Sequence, residues 1–250
     1  MAINGFGRIG RAVFRIAAER KSKKFKIVAI NDLTPIENLA YLLRFDSVHG
    51  PFPGTVAVKG NKLVVDGQAI PVFAEKDPTK LPWGKLKIDA VVESTGFFLD
   101  KVKASQHITA GAKRVIISAP AKDKVDLTVV VGANHKLIKR SQKVISNASC
   151  STNCAVPVCK VLDEAFKIKS AHFTIAHSYT GSQSLVDSPN KKFSQGRAGA
   201  INIIPTSTGA DKAIVLALPR LKGKISGIAV RVPVVDGSLF ALSAVVSKKT

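Results

Sequence analysis

Strand-like and helix-like runs alternate along the first 148 residues, and this alternation restricts the folds that the chain can adopt. The runs KIVAIND, DAVVESTG, RVIISAP, LTVVVGAN and KVISNAS are typical of strands, and the runs RAVFRIAAERK, IENLAYLLRF and DKVKASQHITAGA are typical of helices. Strands that are separated by helices form βαβ units, because a parallel strand needs a crossover connection. The sequence therefore predicts an α/β fold with a doubly wound parallel sheet.

The pattern changes near residue 150. One helix-like run, AVPVCKVLDEAF, is followed by the longer strand-like runs AHFTIAHSYT, ISGIAVRVPV and LFALSAVV, and a polar segment rich in Gly and Ser occupies residues 181–199. Long strands with few helices between them indicate an α+β arrangement. We therefore predict two domains, at residues 1–148 and 149–250.

Composition excludes several classes of protein. With 250 residues and 46% apolar content, the chain can bury one large core or two modest ones. Its apolar runs are too short to span a bilayer, and the N-terminus lacks the pattern of a secretory signal, so we expect no membrane helix and a cytoplasmic location. Three cysteines in a C-x3-C-x4-C arrangement fit neither an even disulfide framework nor a four-ligand zinc site. Reduced thiols and no metal site are expected.

The charge is unusual, because 38 Lys and Arg residues against 17 Asp and Glu residues give a formal net charge of +21. Such a charge attracts polyanions, including nucleic acid. However, the lysines are scattered through KSKKFK, KDPTK, GKLK and PNKK, and only 6% of the residues are aromatic, so stacking platforms for bases are scarce. Nothing beyond the net charge supports nucleic acid as a partner.

The motif G-x-G-x-x-G occupies residues 5–10, just before the helix-like run RAVFRIAAER. Its glycines, Gly5, Gly7 and Gly10, allow a tight turn and a close approach of the backbone to a pyrophosphate at the helix N-terminus. The next apolar run ends at Asp32, where a carboxylate accepts hydrogen bonds from an adenosine ribose and repels a 2′-phosphate. The combination favours NAD over NADP. The alternative is that the glycines serve only a turn and that Asp32 is a solvated strand end.

Cys150, in the segment SNASCSTNC, lies where a strand-like run gives way to a helix-like run. The N–H groups of a helix N-terminus stabilise a thiolate, so this position suits a nucleophile, although an inert, partly buried thiol has the same sequence appearance. Ser149, Ser151 and the residues that follow supply hydroxyl and backbone donors for an oxyanion or a phosphate. Cys154 and Cys159 are expected to be small core residues.

A nucleophilic thiol needs a base, and His177 ends the strand-like run AHFTIA, just before a polar segment. A side chain at the end of a strand emerges from the sheet toward a site. A histidine at such a position is also often only a surface group or a satisfied core group, and the sequence alone leaves this open. The other histidines are less suitably placed: His49, His107, His135 and His172.

Taken together, these segments resemble the glyceraldehyde-3-phosphate dehydrogenase family. INGFGRIGR, AIND, FDSVHG, ESTGFF, HITAGAKRVIISAP, SNASCSTNC, NIIPTSTGA and IAVRVPV occur in the order and spacing of that family and extend over essentially the whole chain. The resemblance implies a Rossmann-type NAD-binding domain at residues 1–148 and a catalytic domain at 149–250. It also implies an enzyme that oxidises glyceraldehyde 3-phosphate with NAD and inorganic phosphate through a cysteine thioester, in glycolysis.

The resemblance assigns roles to individual residues. Cys150 is the implied nucleophile and His177 its base, Thr180 and Arg231 bind the substrate phosphate, and the attacking phosphate is bound by Ser149, Ser151, Thr208 and Gly209. The residues implied to line NAD are Gly5, Gly7, Arg8, Ile9, Gly10, Asp32, Lys76, Thr95, Gly96 and Ser118.

Two alternatives remain at this stage. One is erythrose-4-phosphate dehydrogenase, although the segment Thr206–Gly209 keeps the phosphate-binding pattern of the glyceraldehyde-phosphate enzymes. The other is a non-catalytic basic relative that binds nucleic acid and uses its cofactor cleft as a nucleotide pocket. By comparison with the family, we expect a chain shortened at both ends, with an incomplete catalytic domain. A homotetramer is implied for the full-length chain.

Overall fold

The computed structural model describes residues 1–21, 24–206 and 208–249. The chain divides into two compact units. The first unit consists of Met1–Val129 and Leu137–Ala148, and the second unit consists of Val130–Lys136 and Ser149–Thr250. Ser207, which belongs to the phosphate-binding segment inferred from the sequence, lies outside the described residues.

A nine-stranded sheet forms the centre of the first unit, in the order β3-β4-β5-β2-β1-β6-β7-β9-β8. The strands are β1 (Ala2–Asn4), β2 (Ala29–Asn31), β3 (Val56–Lys59), β4 (Lys62–Val65), β5 (Gln68–Phe73), β6 (Val91–Glu93), β7 (Val115–Ile117), β8 (Leu127–Thr128) and β9 (Val144–Ser146). The helices are α1 (Arg8–Glu19), α2 (Ile36–Arg44), α3 (Lys101–Ala104) and α4 (Gln106–Thr109).

All pairings from β5 to β8 along this sheet are parallel, which confirms the predicted doubly wound α/β fold. Strand β1 lies in the middle, and its last residue, Asn4, is in register with Asn31 of β2 and Glu93 of β6. The carboxyl ends of the central strands are therefore level. Loops that leave these strands start from one edge of the sheet, which is where ligands bind in open α/β sheets.

Two features of the first unit differ from the sequence prediction. Strands β3, β4 and β5 form an antiparallel meander at one edge of the sheet. The run DKVKASQHITAGA forms two short helices, α3 and α4, instead of one. The break lies at Ser105, whose backbone N–H and hydroxyl both donate to the carbonyl of Lys101, the first residue of α3.

Apolar side chains cover both faces of the first unit's sheet. In β1, Ile3 packs in a core with Phe6 and Phe14, whereas Ala2 packs in a second core with Trp83. Successive residues of a strand point to opposite faces, so a short strand that is buried on both faces shows an unbroken apolar sequence. This burial explains why the central strands have no polar alternation.

The second unit contains a four-stranded sheet in the order β11-β12-β10-β13. Its strands are β10 (Ile168–Ser178), β11 (Ile204–Thr206), β12 (Ile225–Val232) and β13 (Ser238–Val246), and its helices are α5 (Cys150–Phe166) and α6 (Ala210–Ala217). Strand β10 is parallel to β12 and antiparallel to β13. Short 3₁₀ helices in the chain lie at Pro78–Lys80, His135–Leu137, Phe193–Gly196 and Pro219–Leu221.

The two faces of this second sheet differ. Helix α5 packs against β10 and β13, and Phe173 and Ile175 of β10 are buried. The intervening residues of β10 pair with Ile228 and Leu239 of the neighbouring strands, and both of these apolar side chains are more than half exposed. One face is therefore a core and the other an accessible apolar surface. In the described part of the chain, no helix combines the length and the apolar character that crossing a bilayer requires.

Candidate active site

The three glycines in the turn between β1 and α1 differ in backbone conformation and in the space around them. Gly5 has a φ of +89°, and a Cβ there would lie 2.6 Å from the backbone nitrogen of Thr95. A Cβ on Gly10 would lie 2.1 Å from the carbonyl oxygen of Gly5. A Cβ on Gly7 would meet nothing within 4 Å. Gly5 and Gly10 are therefore required by packing, whereas Gly7 faces open space at the start of α1, where no side chain caps the helix.

Asp32 follows β2 and holds this turn. One of its carboxylate oxygens accepts the backbone N–H of Phe6 at 2.6 Å, and the other accepts that of Thr34 at 2.9 Å. Each oxygen has a further lone pair, so the Asp32 carboxylate can still accept a hydrogen bond from a hydroxyl group. The sequence pattern indicated a ribose acceptor at Asp32 but gave no sign that the same carboxylate anchors the glycine turn.

Arg8 and Ile9 begin α1, and both side chains are exposed. The guanidinium of Arg8 donates to Asp46 at 2.5 Å, and this hydrogen bond holds the pKa of the Asp46 carboxyl well below its ordinary value. The backbone N–H groups of Val48 and His49 also donate to Asp46. The Arg8 side chain is thus committed to the loop after α2, so its backbone N–H is the group that remains for an anion at the helix start.

The remaining residues expected to bind the cofactor follow other parallel strands. Lys76 comes after β5 and is exposed, Thr95 and Gly96 follow β6, and Ser118 follows β7. The backbone N–H of Ser118 donates to the carbonyl of Glu93, which joins the ends of β6 and β7. All the cofactor residues inferred from the sequence therefore lie at the same edge of the first unit's sheet.

Cys150 is the first residue of α5, and Ser149 caps this helix. The Ser149 hydroxyl accepts the backbone N–H of Thr152 at 3.1 Å, which satisfies one of the free donors of the first turn. Just before the cap, Ala148 has a φ of +56°, an uncommon conformation for a residue with a side chain. The thiol is exposed, so it combines access with the positive end of a helix.

Strand register brings His177 and Arg231 to the same place. The two residues are directly paired in the parallel strands β10 and β12, near the carboxyl ends of both. His177 Nε2 lies 3.3 Å from the sulfur of Cys150, and His177 Nδ1 lies 2.7 Å from the carbonyl oxygen of Ser178. Arg231 Nη1 donates to the same carbonyl at 2.9 Å. The structure therefore assembles a thiol, an imidazole and a guanidinium within the second unit.

The contacts between these groups shift their acidities. The hydrogen bond with His177 lowers the pKa of Cys150 to about 7, against the opposing effect of burial. The same hydrogen bond raises the pKa of His177, aided by the Ser178 carbonyl and opposed by burial and by Arg231. Both shifts favour a thiolate facing an imidazolium. Such a pair is a nucleophile that is ready to react at neutral pH.

The other two thiols are in different environments. Cys159 is buried as expected, and burial raises its pKa to about 11, so it is not reactive. The expectation that Cys154 is a core residue is wrong, because this thiol is exposed on α5. Cys154 lies four positions after Cys150, slightly more than one helical turn, and the apolar residues around it on the helix surface gave no indication of which face is buried.

The remaining polar residues expected at the site lie on adjoining loops. Thr180 follows β10 and is exposed, and its hydroxyl lies 2.9 Å from that of Ser182. Thr208 precedes α6, where its hydroxyl accepts the backbone N–H of Ala210 at 3.1 Å. Gly209 is exposed at the N-terminus of α6, and Ser151 is half-buried in the first turn of α5. The arrangement supplies two helix N-termini with hydroxyl groups, both suited to anions.

Arg231 has a donor available for a ligand, because its buried Nε has no hydrogen-bond partner among the described residues. A buried donor without a partner is costly, and a ligand anion can satisfy it. The described part of the chain contains no group of His, Cys, Asp and Glu residues that could hold a metal ion. The site offers a thiol, an imidazole and donors for anions.

Comparison with protein families gives matches over both parts of the chain. Residues 1–101 match the family model for the NAD binding domain of glyceraldehyde 3-phosphate dehydrogenase, and residues 149–250 match the model for its C-terminal domain. The two matches together span more than half of the chain.

Individual relatives are similar over nearly the whole chain. The glyceraldehyde-3-phosphate dehydrogenase of Thermotoga maritima is 54% identical over 250 residues, which are 100% of this chain and 75% of that protein. The enzyme of Priestia megaterium is 52% identical over 100% of this chain and 74% of its own length. The chloroplastic glyceraldehyde-3-phosphate dehydrogenase A of Scenedesmus vacuolatus is 48% identical, with 99% of this chain and 79% of its own length covered.

Proposed function

The chain belongs to the glyceraldehyde-3-phosphate dehydrogenase family, and we propose that Cys150 and His177 carry out the catalysis. The protein is an NAD-dependent oxidoreductase that converts glyceraldehyde 3-phosphate to 1,3-bisphosphoglycerate with inorganic phosphate, in glycolysis. The observation that carries the residue assignment is the 3.3 Å contact between Cys150 Sγ and His177 Nε2 at the N-terminus of α5. The names of the relatives favour this substrate over erythrose 4-phosphate and favour an enzyme over a nucleic-acid-binding module.

In the proposed mechanism, the Cys150 thiolate attacks the aldehyde carbon and a C–S bond forms. His177 exchanges one proton with the substrate oxygen, first stabilising the hemithioacetal and then removing its hydroxyl proton. When bound, NAD would supply the acceptor for the hydride that the hemithioacetal loses on becoming a thioester. Phosphate oxygen then attacks the thioester carbon, the C–S bond breaks, and Cys150 leaves as a thiolate, which the imidazolium of His177 stabilises.

The first unit's residues fit NAD. The open space at Gly7 would be filled by a Cβ, and the uncapped start of α1 offers N–H groups to a pyrophosphate. We propose that Gly5, Gly7, Arg8, Ile9 and Gly10 hold the pyrophosphate. The free lone pairs of Asp32 suit ribose hydroxyls, and the remaining proposed cofactor residues are Lys76, Thr95, Gly96 and Ser118.

The donors of the second unit are suited to two anion sites. We propose that Arg231 and Thr180 bind the phosphate of glyceraldehyde 3-phosphate, and the unpartnered Nε of Arg231 supports this role. The attacking phosphate is assigned to Ser149, Ser151, Thr208 and Gly209, which offer hydroxyl and backbone donors at the starts of α5 and α6.

We also propose a homotetramer in the cytoplasm. The exposed apolar face of the second sheet, which includes Ile228 and Leu239, is a surface that subunit contacts could cover. Light scattering after size-exclusion chromatography tests the tetramer, and cell fractionation tests the location. A monodisperse monomer, or enzyme in an organelle fraction, would contradict the respective proposal.

The decisive test of function is NADH formation by the purified chain, followed by absorbance, with glyceraldehyde 3-phosphate, NAD and phosphate. We expect activity that requires phosphate and that Cys150→Ser abolishes, with lower activity on erythrose 4-phosphate. A matched Cys154→Ser variant removes the neighbouring exposed thiol and should remain active. Activity that persists in Cys150→Ser would contradict the proposed nucleophile, and a preference for erythrose 4-phosphate would contradict the substrate.

A further inference from the structure

A group of buried polar residues lies at the carboxyl ends of the first unit's central strands, and the mechanism above does not use it. The exposed fractions are 1% for Asn4, 5% for Asn31, 0% for Glu93 and 0% for His107. Burial of a carboxylate and an imidazole is costly unless every polar atom is hydrogen-bonded. This cluster lies at the carboxyl ends of the strands, beside the proposed cofactor residues, so the segments that it holds in place bear on cofactor binding.

Glu93 is the acceptor at the centre of this group. Its Oε1 accepts both the backbone N–H of Thr95, at 2.8 Å, and the hydroxyl of Thr95, at 2.5 Å. Its Oε2 accepts the side-chain amide of Asn4 at 2.6 Å and lies 3.1 Å from His107 Nε2. Four donors therefore converge on one carboxylate, which matches the acceptor capacity of its ionised form.

The position of the proton on His107 follows from Trp83. The indole Nε1–H of Trp83 lies 3.0 Å from His107 Nδ1, and an indole nitrogen is only a donor. His107 Nδ1 must accept, so the ring proton is on Nε2 and is donated to Glu93. Trp83 thus selects the tautomer in which His107 supports the carboxylate. Asn4 and His107 are then both donors to Glu93 and do not bond to each other.

The same group reaches the other cofactor segments. Asn31 donates to the side-chain oxygen of Asn4 at 2.7 Å, and the carbonyl of Asn31 accepts the backbone N–H of Gly5 at 2.8 Å. Asn31 directly precedes Asp32 in the chain. Thr95, held by Glu93, in turn accepts the backbone N–H of Phe97 through its hydroxyl at 3.1 Å, which closes the turn around Gly96. One buried network thus supports the ends of β1, β2 and β6.

We propose that Glu93 and His107 are positioning residues for cofactor binding. They act through Thr95, by fixing the turn that presents Thr95 and Gly96 to NAD, and they do not touch the cofactor themselves. This inference rests on the proposed function, because it takes the loops at this edge of the sheet as the NAD site. A general role in stability alone would not change NAD affinity selectively.

The test compares two variants at one buried position, using the full chain. In His107→Gln, the side-chain amide can donate to Glu93 while its oxygen accepts from Trp83, whereas His107→Leu can do neither. We expect His107→Leu to raise the Kd for NAD by about ten- to hundredfold. A loss of affinity in this range is typical when a residue that orients a binding residue is removed. His107→Gln should restore most of the affinity, and the KM for glyceraldehyde 3-phosphate should change by less than about twofold, since the second unit is untouched.

Hydrogen exchange measured without NAD provides a second readout. The amides of residues 95–97 should exchange faster in His107→Leu and in Glu93→Gln, a nearly isosteric change that remains available if His107→Leu does not fold. The matched control is Gln68→Leu. It removes a hydrogen bond from Gln68 to the Ile27 carbonyl at the amino ends of β5 and β2, away from the carboxyl ends where the network lies. This control should leave both NAD affinity and exchange at 95–97 unchanged.

Three results would overturn the inference. Unchanged NAD affinity in Glu93→Gln and His107→Leu, with the wild-type chain binding NAD, would show that the network is only structural and would leave the proposed function intact. An equal loss of affinity in Gln68→Leu would show that any destabilisation has this effect. A folded wild-type chain that does not bind NAD would overturn the cofactor site and this inference together.

Discussion

The reactivity of Cys150 depends most on one neighbour, His177, and this dependence can be measured by alkylation. With the Cys150 pKa lowered to about 7, roughly half of the thiol is ionised at neutral pH, and the rate of iodoacetamide alkylation should rise through pH 7 to a plateau. His177→Asn removes the imidazolium, so the midpoint should move up toward the ordinary thiol value of about 8.5. At pH 7 the variant should react at least about tenfold more slowly, and above pH 10 the two rates should converge.

The alkylation measurement needs a background in which only Cys150 reacts. Cys154→Ser removes the other exposed thiol, and Cys159 is buried with its pKa raised to about 11, so it stays silent below that pH. His172→Asn is a matched control, because this histidine is also on β10 and its nearest polar partner is the hydroxyl of Ser226. A midpoint that stays near 7 in His177→Asn would contradict the role of His177.

The assignment of two anion sites makes a separate prediction for two threonines. Thr208→Val removes the hydroxyl at the start of α6 and should raise the KM for inorganic phosphate about tenfold, a loss typical of a hydrogen bond to a charged group. Thr180→Val removes the hydroxyl after β10 and should raise the KM for glyceraldehyde 3-phosphate to a similar extent. Steady-state kinetics with each substrate varied in turn measures both constants. The reverse pattern would exchange the two sites.

At the scale of an element, the turn from β1 to α1 distinguishes a glycine needed for folding from one needed for binding. Gly7 has φ −71° and ψ −159°, which alanine also adopts, and the methyl group of Gly7→Ala enters open space. We expect this variant to keep its thermal stability but to lose at least about tenfold in NAD affinity, equal to about 1.4 kcal/mol. The methyl group would occupy the space through which the pyrophosphate approaches the backbone.

Gly10→Ala is the matched comparison, because its Cβ would overlap the carbonyl oxygen of Gly5. Overpacking of this kind costs about 1 to 3 kcal/mol, so we expect a lower free energy of unfolding in denaturant. Isothermal calorimetry with NAD and urea denaturation on both variants separate the two effects. Equal stability losses in Gly7→Ala and Gly10→Ala would show that Gly7 also has a packing role.

The elements that the sequence predicted well are those with strong local signals. The alternating runs predicted the parallel strands, and the glycine motif predicted the start of α1. The antiparallel meander of β3, β4 and β5 was missed although its signals are present: the three strands are joined at Gly60-Asn61 and Asp66-Gly67, dipeptides typical of hairpin turns. Helix α6 was also missed, because its short apolar sequence, ADKAIVLA, does not show a clear helical period.

The contacts between the site residues could not be predicted from local sequence patterns. Position alone made Cys150 and His177 candidates, but their 3.3 Å contact depends on the packing of α5 on β10. Arg231 reaches His177 only because β10 and β12 pair in one particular register, which no local pattern encodes. The sequence placed His107 correctly on a helix but gave no sign of its buried contacts with Glu93 and Trp83, since these contacts depend on how α4 and the segment before β6 pack around the end of that strand.

For the molecule as a whole, the main unexplained property is its charge. Since Asp and Glu number 17, one-to-one pairing leaves an excess of 21 among the 38 Lys and Arg residues. Many of the ion pairs are exposed, such as that of Lys113 with Asp89, and exposed pairs contribute little to stability. The excess charge instead produces a long-range positive potential, which attracts any polyanion and is screened by salt.

This potential predicts RNA binding that depends on charge and not on the cofactor site. We expect a single-stranded RNA to bind at low salt and to lose most of its affinity by about 0.15 M salt, because binding through phosphates releases counterions. A fluorescence-anisotropy titration at several salt concentrations measures this slope. Gly7→Ala should leave RNA affinity unchanged, since a methyl group in the proposed pyrophosphate site does not alter the surface charge. Sub-micromolar affinity at physiological salt, together with weaker RNA binding in Gly7→Ala and displacement by NAD, would instead show that the nucleotide pocket binds RNA and that the chain has a second function.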